Sequence, residues 1–204
     1  MAKRKYEQRL RAEAAAETRR RVLDAVAELL RESPTEPVSL DKVAQRAGVA
    51  RSTIYVSFGS RPGLFDAFVE DLWERAGLAD LTSAVAAPDA RTHLRSGIQA
   101  ASRMLAAELD IYRVLFAMSR LDPDLVGGAV EKKEQSRRGG MAHLARRLAD
   151  EGVLRDDVTA GDAEDLLWML CSFEAFDHLH SGCGLPVDQA AAVLAMTAER
   201  ALCR

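Results

Sequence analysis

The run from Pro37 to Leu64, PVSLDKVAQRAGVARSTIYVSFGSRPGL, limits what this chain can fold into more than any other stretch. Ser39 is placed as an N-cap, and Asp41 falls in the first helical turn, where the helix dipole favours an acid. Val43, Ala44 and Ala47 form a short apolar stripe. Gly48 ends this helix, because glycine turns left-handed without a Cβ clash, and Val49 plugs the angle beyond it. A second helix is predicted to open near Ala50. Its residues Ala50, Ile54 and Phe58, spaced by four, are expected to face inward, leaving Arg51, Ser52, Thr53, Tyr55 and Ser57 outward. Two short helices joined at a wide angle by a glycine turn form a helix-turn-helix, which presents its second helix to the DNA major groove. A helical corner inside an ordinary core is the plainer reading. The outward donors, standing where a lysine/glutamate solvation pattern would be, argue against it.

The charge distribution agrees. A net charge of -3 is unusual for a chain that meets DNA, but it conceals an asymmetry. Residues 1–61 hold 13 Lys and Arg against 8 Asp and Glu, a balance of +5, and residues 62–204 hold 15 against 23, a balance of -8. Positive charge is concentrated where phosphates would lie.

The order of these features resembles the N-terminal DNA-binding domain of the TetR/AcrR family of transcriptional regulators. Thr18 to Leu30 (TRRRVLDAVAELL) is similar to that family's first helix, and Val43 to Val49 (VAQRAGV) to its second helix and turn. Ser52 to Phe58 (STIYVSF) is similar to its recognition helix, and Ser60 to Phe68 (SRPGLFDAF) to the start of its fourth. The match covers about the first third of the chain. Ala50 stands where the family commonly has serine, which predicts a weaker cap on the recognition helix. Pro62 and Gly63 replace a frequent acidic pair, and proline is tolerated in a first helical turn.

The resemblance implies an all-α protein: a helix-turn-helix DNA-binding domain over residues 1–75 and a helical ligand-binding and dimerisation domain over residues 76–204. It also implies a homodimer on a near-palindromic, double-stranded operator and a small-molecule effector whose identity the sequence does not disclose. A repressor released from DNA by that effector is the expected function. The alternative is a helical ligand-binding protein or enzyme whose DNA-like domain is not used on DNA, which the charge split disfavours. On the recognition helix, Arg51 is expected to bond guanine, Ser52 and Thr53 to reach bases or phosphates, and Tyr55 to touch a thymine methyl or a phosphate, with Ser57 on the same outward side. Lys42, Arg61 and the N-terminal segment are expected to add sequence-independent affinity. Arg61 would do so beside the free N–H groups at a helix start.

Elsewhere the chain reads as helices and short loops. Lys3, Arg4, Lys5, Arg9 and Arg11 form a basic arm, placed to follow phosphates or enter the minor groove, or else simply solvated. Val22, Val26, Leu29 and Leu30 mark the buried face of a first helix that breaks before Ser33-Pro34. Ser60 caps a helix that buries Leu64, Phe65, Phe68, Val69 and Leu72 and runs to about Gly77. Further helices are predicted from Pro88-Asp89, over Ile111 to Met118, and from Asp122-Pro123, the last weakened at Gly127-Gly128 and Gly139-Gly140. The charges from Glu131 to Arg138 are expected in solvent. The final two helices open at Gly161-Asp162, continuing through Phe176, and at Leu185-Pro186. They are apolar around much of their circumference, which suits a subunit interface.

No apolar run approaches the ~20 residues of a membrane span, and the N-terminus has no signal-peptide core, so a cytoplasmic location is expected. Cys171, Cys183 and Cys203 read as reduced thiols. Cys171, His178, His180 and Cys183 match no common zinc spacing, no Glu-x-x-His pair precedes any histidine, and no phosphate-binding glycine loop or nucleophile elbow occurs. No metal, cofactor or catalysis is therefore expected. Candidates for a ligand cavity between helices are Met104, Tyr112, Phe116, Met118, Leu144, Trp168 and Cys171, with His143 as a polar contact.

Overall fold

A computed structural model describes residues 2–121, 124, 126 and 128–204, with side chains from residue 6 onward. Among them every regular element is helical, and the extended pairing is confined to the isolated antiparallel bridge between Leu154 and Cys203. The chain forms two compact units, one from Met1–Asp71 and Arg113–Val130, the other from Leu72–Tyr112 and Glu131–Arg204.

The first unit begins with α1 (Ala2–Glu32), which runs without interruption through the predicted arm. Residues 6–17 are all exposed, and burial begins only at Val22. The arm is therefore helix, favoured by the run Ala14, Ala15 and Ala16, and a helix about 10 Å across does not fit a minor groove about 6 Å wide. α2 (Leu40–Ala47) packs on α1, with Leu40, Val43, Ala44 and Ala47 against Val22, Val26 and Leu30 in a shared core. Arg46 fastens the two helices from outside, reaching Glu28 at 3.0 Å and Glu32 at 2.6 Å. After α3 (Arg51–Phe58), Ser60 caps α4 (Arg61–Ala76), its Oγ accepting the Gly63 N–H at 3.0 Å. Leu64, Phe65, Phe68 and Val69 of α4 are fully buried, as their spacing predicts.

In the second unit, α5 (Leu78–Val85) packs against α6 (Ala90–Ala107), and α6 lies along α11 (Val187–Leu202). Ala190, Ala191, Ala195 and Ala198 are buried on α11, small enough for the backbones to approach closely, and Arg95 of α6 meets Glu199 at 2.7 Å. Asp89 caps α6 through the Thr92 N–H. α7 (Leu109–Leu121) carries the buried Ile111 and Tyr112 at its start.

Several boundaries differ from expectation. The predicted helix start at Asp122-Pro123, and Gly127, lie outside the described residues. α8 (Gly128–Asp150) passes through Gly139-Gly140 unbroken, so the weakness of two glycines is outweighed by the anchoring of Leu144, Ala145 and Leu148. α9 (Ala160–Leu170) opens earlier than predicted, in a capping box where the Thr159 side chain and Asp162 bond each other's backbone N–H. It does not continue through Phe176. Ser172 caps a separate α10 (Phe173–Asp177), followed by a π-helical turn at His178–Gly182. Arg137 and Glu134 are half-buried, not solvated, because the Arg137 guanidinium also donates to the Trp168 carbonyl at 2.6 Å.

Candidate nucleic-acid interface

The turn before α3 forms as its residues dictate. Ser39 Oγ accepts the Lys42 N–H at 3.2 Å, and Gly48 sits at φ 64°, a left-handed position that costs a residue with a Cβ about 1–2 kcal/mol. Its N–H and that of Val49 close the end of α2. α3 then starts at Ala50, whose extended backbone suits an N-cap but whose methyl can accept nothing, so the helix has no side-chain cap.

Ile54 is the one buried residue of α3. Of the two residues expected to share its face, Ala50 does not, being exposed at the cap, whereas Phe58 does so in part, half-buried under the Arg19 guanidinium, 4.5 Å from the ring centre. Arg19 also donates to the Ser57 carbonyl at 3.2 Å, so α1 holds the far end of α3. With about 100° per residue, the positions opposite Ile54 are Ser52 and Val56, each about 160° away on either side. Both are exposed, and Val56 is 87% exposed, a residue that counting donors along the sequence overlooks although a helical wheel locates it. Thr53 and Ser57 are half-buried on one flank.

Arg51 and Tyr55 occupy the other flank. The Arg51 guanidinium pairs with Asp41 of α2 at 3.1 Å and donates to the Tyr55 hydroxyl at 3.3 Å, contacts that favour its charged form. Arg51 is thus exposed, with its guanidinium directed toward Asp41 and Tyr55. Lys42 is engaged with Glu36 at 2.6 Å, a hydrogen bond that lowers the Glu36 carboxyl below its usual range. Arg61 is turned the other way from expectation. Its Nε and Nη2 donate to the Val38 carbonyl at 3.2 and 2.8 Å, tying α4 to the segment before α2. The start of α4 also offers fewer free N–H groups than predicted, since Pro62 has none and Gly63 is bonded to Ser60.

A tight glycine turn, a helix with an outward pole of one hydroxyl and one aliphatic side chain, and a flanking oriented guanidinium are what a groove-reading helix requires. Residues 22–68, the whole of this arrangement from the buried face of α1 to Phe68, match the family described as bacterial regulatory proteins, tetR family. The amino-terminal domain is that of a TetR-family transcriptional regulator. The likeness extends past this TetR-family domain. An uncharacterized HTH-type transcriptional regulator, YdeS of Bacillus subtilis (strain 168), is 26% identical over 152 residues, 74% of each chain. Among solved structures, a TetR-like transcriptional regulator from Rhodococcus sp. RHA1 is similar over 90% of this chain and 94% of its own, with a TM-score of 0.66 and 22% identity. A TetR family transcription regulator from Marinobacter aquaeolei VT8 is similar over 94% and 98%, with a TM-score of 0.70 and 16% identity. The fatty acid degradation regulator FadR from Bacillus halodurans is similar over 88% and 93%, with a TM-score of 0.70 and 14% identity. At these identities the solved structures establish a shared fold.

Beyond the TetR-family domain, the predicted cavity residues are dispersed. Met104, Tyr112 and Leu144 are buried, Phe116 and Met118 half-buried, His143 exposed, and Trp168 is 37% exposed between the Arg137 and Arg138 guanidiniums at 5.2 and 5.3 Å. Tyr112 packs edge-on against Trp73 at 4.8 Å, and burial pushes its phenol well above the usual range. Its hydroxyl has no hydrogen-bond partner among the described residues. A shallow, half-open cleft with room for little more than one water molecule lies instead among Ile98, Ala101, Ser102, Leu105, Cys171, Ser172, Phe176 and Leu194. Cys171 is the residue shared with the predicted set, and desolvation pushes its thiol up to about 11. The three cysteines are free thiols. His180 hydrogen-bonds the Leu185 carbonyl at 2.7 Å and stacks on Phe176 at 5.3 Å, so its ring is used within the fold. No cluster of three or more His, Cys, Asp or Glu suited to a metal occurs among the described residues, and none of their helices is long and apolar enough to cross a membrane.

Proposed function

We propose that this TetR-family regulator acts as a homodimeric repressor, placing two copies of α3 in successive major grooves of a near-palindromic operator and leaving it when a small molecule binds the second unit. The outward pole of α3, Ser52 and Val56 beside the oriented Arg51, carries this reading. Half-sites one helical turn apart, about 34–36 Å, or a multiple of that spacing, suit such a dimer. Arg51 bonds guanine, Ser52 and Thr53 reach base edges or phosphates, Tyr55 supports Arg51, and Lys42 and Ser57 contact the backbone. Exposed apolar side chains on the last helices, Met169 at 54% on α9 and Met196 at 43% on α11, support a subunit interface there. The walls Ile98, Leu105, Phe176 and Leu194 favour an apolar effector. As it stands the cleft admits little more than a water molecule, far short of the roughly 300 Å³ of a drug-sized pocket, so an effector would have to open it. A coupling of about 1–3 kcal/mol lowers operator affinity about 5- to 150-fold, enough to switch a gene.

The test is an electrophoretic shift with DNA flanking the coding region at roughly 50 and 200 mM salt, together with the mass in solution. A shift that weakens steeply with salt, from a particle of twice 22.3 kDa, is expected. A monomer, or binding indifferent to both salt and sequence, overturns the proposal.

A further inference from the structure

Val56 is the most exposed large apolar side chain among the described residues, at 87%, and it lies on a short helix of eight residues with one buried anchor. Nothing within the domain accounts for it. A β-branched residue is a poor helix former, and exposure on this scale returns no hydrophobic stabilisation. Its neighbour one turn back, Ser52, is also outward, so the pair forms the crest of α3, with Arg51 held aside by Asp41. A crest of this kind needs a surface that is polar except at one point.

We infer that Val56 determines specificity by packing on the 5-methyl group of a thymine in the major groove, with Ser52 hydrogen-bonding the adjacent base edge. Among the four bases, thymine alone presents an apolar group on that edge, and an aliphatic side chain at the centre of a reading helix meets it without competing for a hydrogen bond. Arg51, on the flank, then serves a base pair displaced along the groove from that thymine. This inference rests on the proposed operator binding and deepens it.

The experiment first selects preferred duplexes from random-sequence DNA with the wild-type protein, then replaces each thymine in turn by deoxyuridine, which removes the methyl and leaves base pairing intact. One thymine per half-site is expected at which the replacement weakens wild-type binding about fourfold, the worth of one buried methyl-sized group. Val56→Ala should bind the thymine duplex about as weakly as wild type binds the uracil one, and should lose its response to the replacement there. Because Val56 is exposed, the variant folds, and its helical circular dichroism provides the check. If wild type responds to no replacement, or Val56→Ala keeps the full response, the inference is wrong while operator binding stands. If no duplex is selected at all, both fall together.

Discussion

α2 and α3 are equal in length, eight residues each, and are built to opposite specifications. α2 has a Ser39 cap, a left-handed Gly48 terminus, four buried residues, and Arg46 strapping it to two glutamates of α1. α3 has no side-chain cap and one buried residue, and it carries its large apolar side chains Tyr55 and Val56 toward solvent. What holds α3 in place comes from its neighbours: Arg19 of α1 on Phe58 and the Ser57 carbonyl, and Asp41 of α2 on Arg51. Exposed ion pairs contribute little, typically under ~1 kcal/mol, so Ile54 and the half-buried Phe58 provide most of the attachment. The contrast separates two roles. α2 is a structural helix that orients, and α3 is a surface whose side chains are committed outward at the expense of its own stability.

The contrast can be broken most directly at Ile54. Ile54→Ala should cost about 2–5 kcal/mol in a urea titration, because Ile54 is the one fully buried residue of α3 and the half-buried Phe58 replaces only part of its packing. An unchanged midpoint would mean that α3 is anchored elsewhere. Arg51→Ala tests the outward-facing role of α3. Discrimination at one operator base pair should fall by about 1–3 kcal/mol, measured by competition between single-base variants, while overall stability stays within ~0.5 kcal/mol. An equal loss on random DNA would reassign Arg51 to the phosphates. At the start of α2, Ser39→Ala should destabilise by about 1 kcal/mol through loss of the bond to the Lys42 N–H, seen as a lower melting temperature. The mirror-image change sharpens the comparison. Ala50→Ser should stabilise α3 by roughly 0.5 kcal/mol, since the extended backbone at residue 50 already suits a capping side chain. A destabilised Ala50→Ser would show that the missing cap is not what distinguishes the two helices.

The parts of this architecture that are legible in the sequence are those decided within a few residues. Ser39, Gly48, Ser60 and Asp89 act where they stand, because a cap is settled by one side chain and an N–H two or three positions on. The same rule locates Thr159 from Thr-x-x-Asp and Ser172 from its place before α10, but apolar continuity from Ala163 to Phe176 suggests a single helix and hides them. What escapes a sequence reading is settled at a distance. Arg61 bonds a carbonyl 23 residues earlier, Arg137 bonds one 31 residues later, and the cleft collects residues from α6, α11 and the α9–α10 junction. Helical spacing cannot supply those pairings. Val56 escapes for a different reason: a face picked out by its donors passes over it, whereas angle about the axis from Ile54 places it level with Ser52, farthest from the core.

The two indoles have an optical consequence. Both belong to the second unit: Trp73, 9% exposed, lies edge-on to Tyr112 with the Lys133 ammonium 5.9 Å from its ring centre, and Trp168, 37% exposed, is flanked by two guanidiniums. A neutral quencher such as acrylamide should dim the half-exposed Trp168 before the buried Trp73, the Arg137 and Arg138 charges being offset by Glu134, Glu164 and Asp165. Residues 2–71 contain no tryptophan, so that emission is an unlabelled gauge of the second unit, silent about α3 itself.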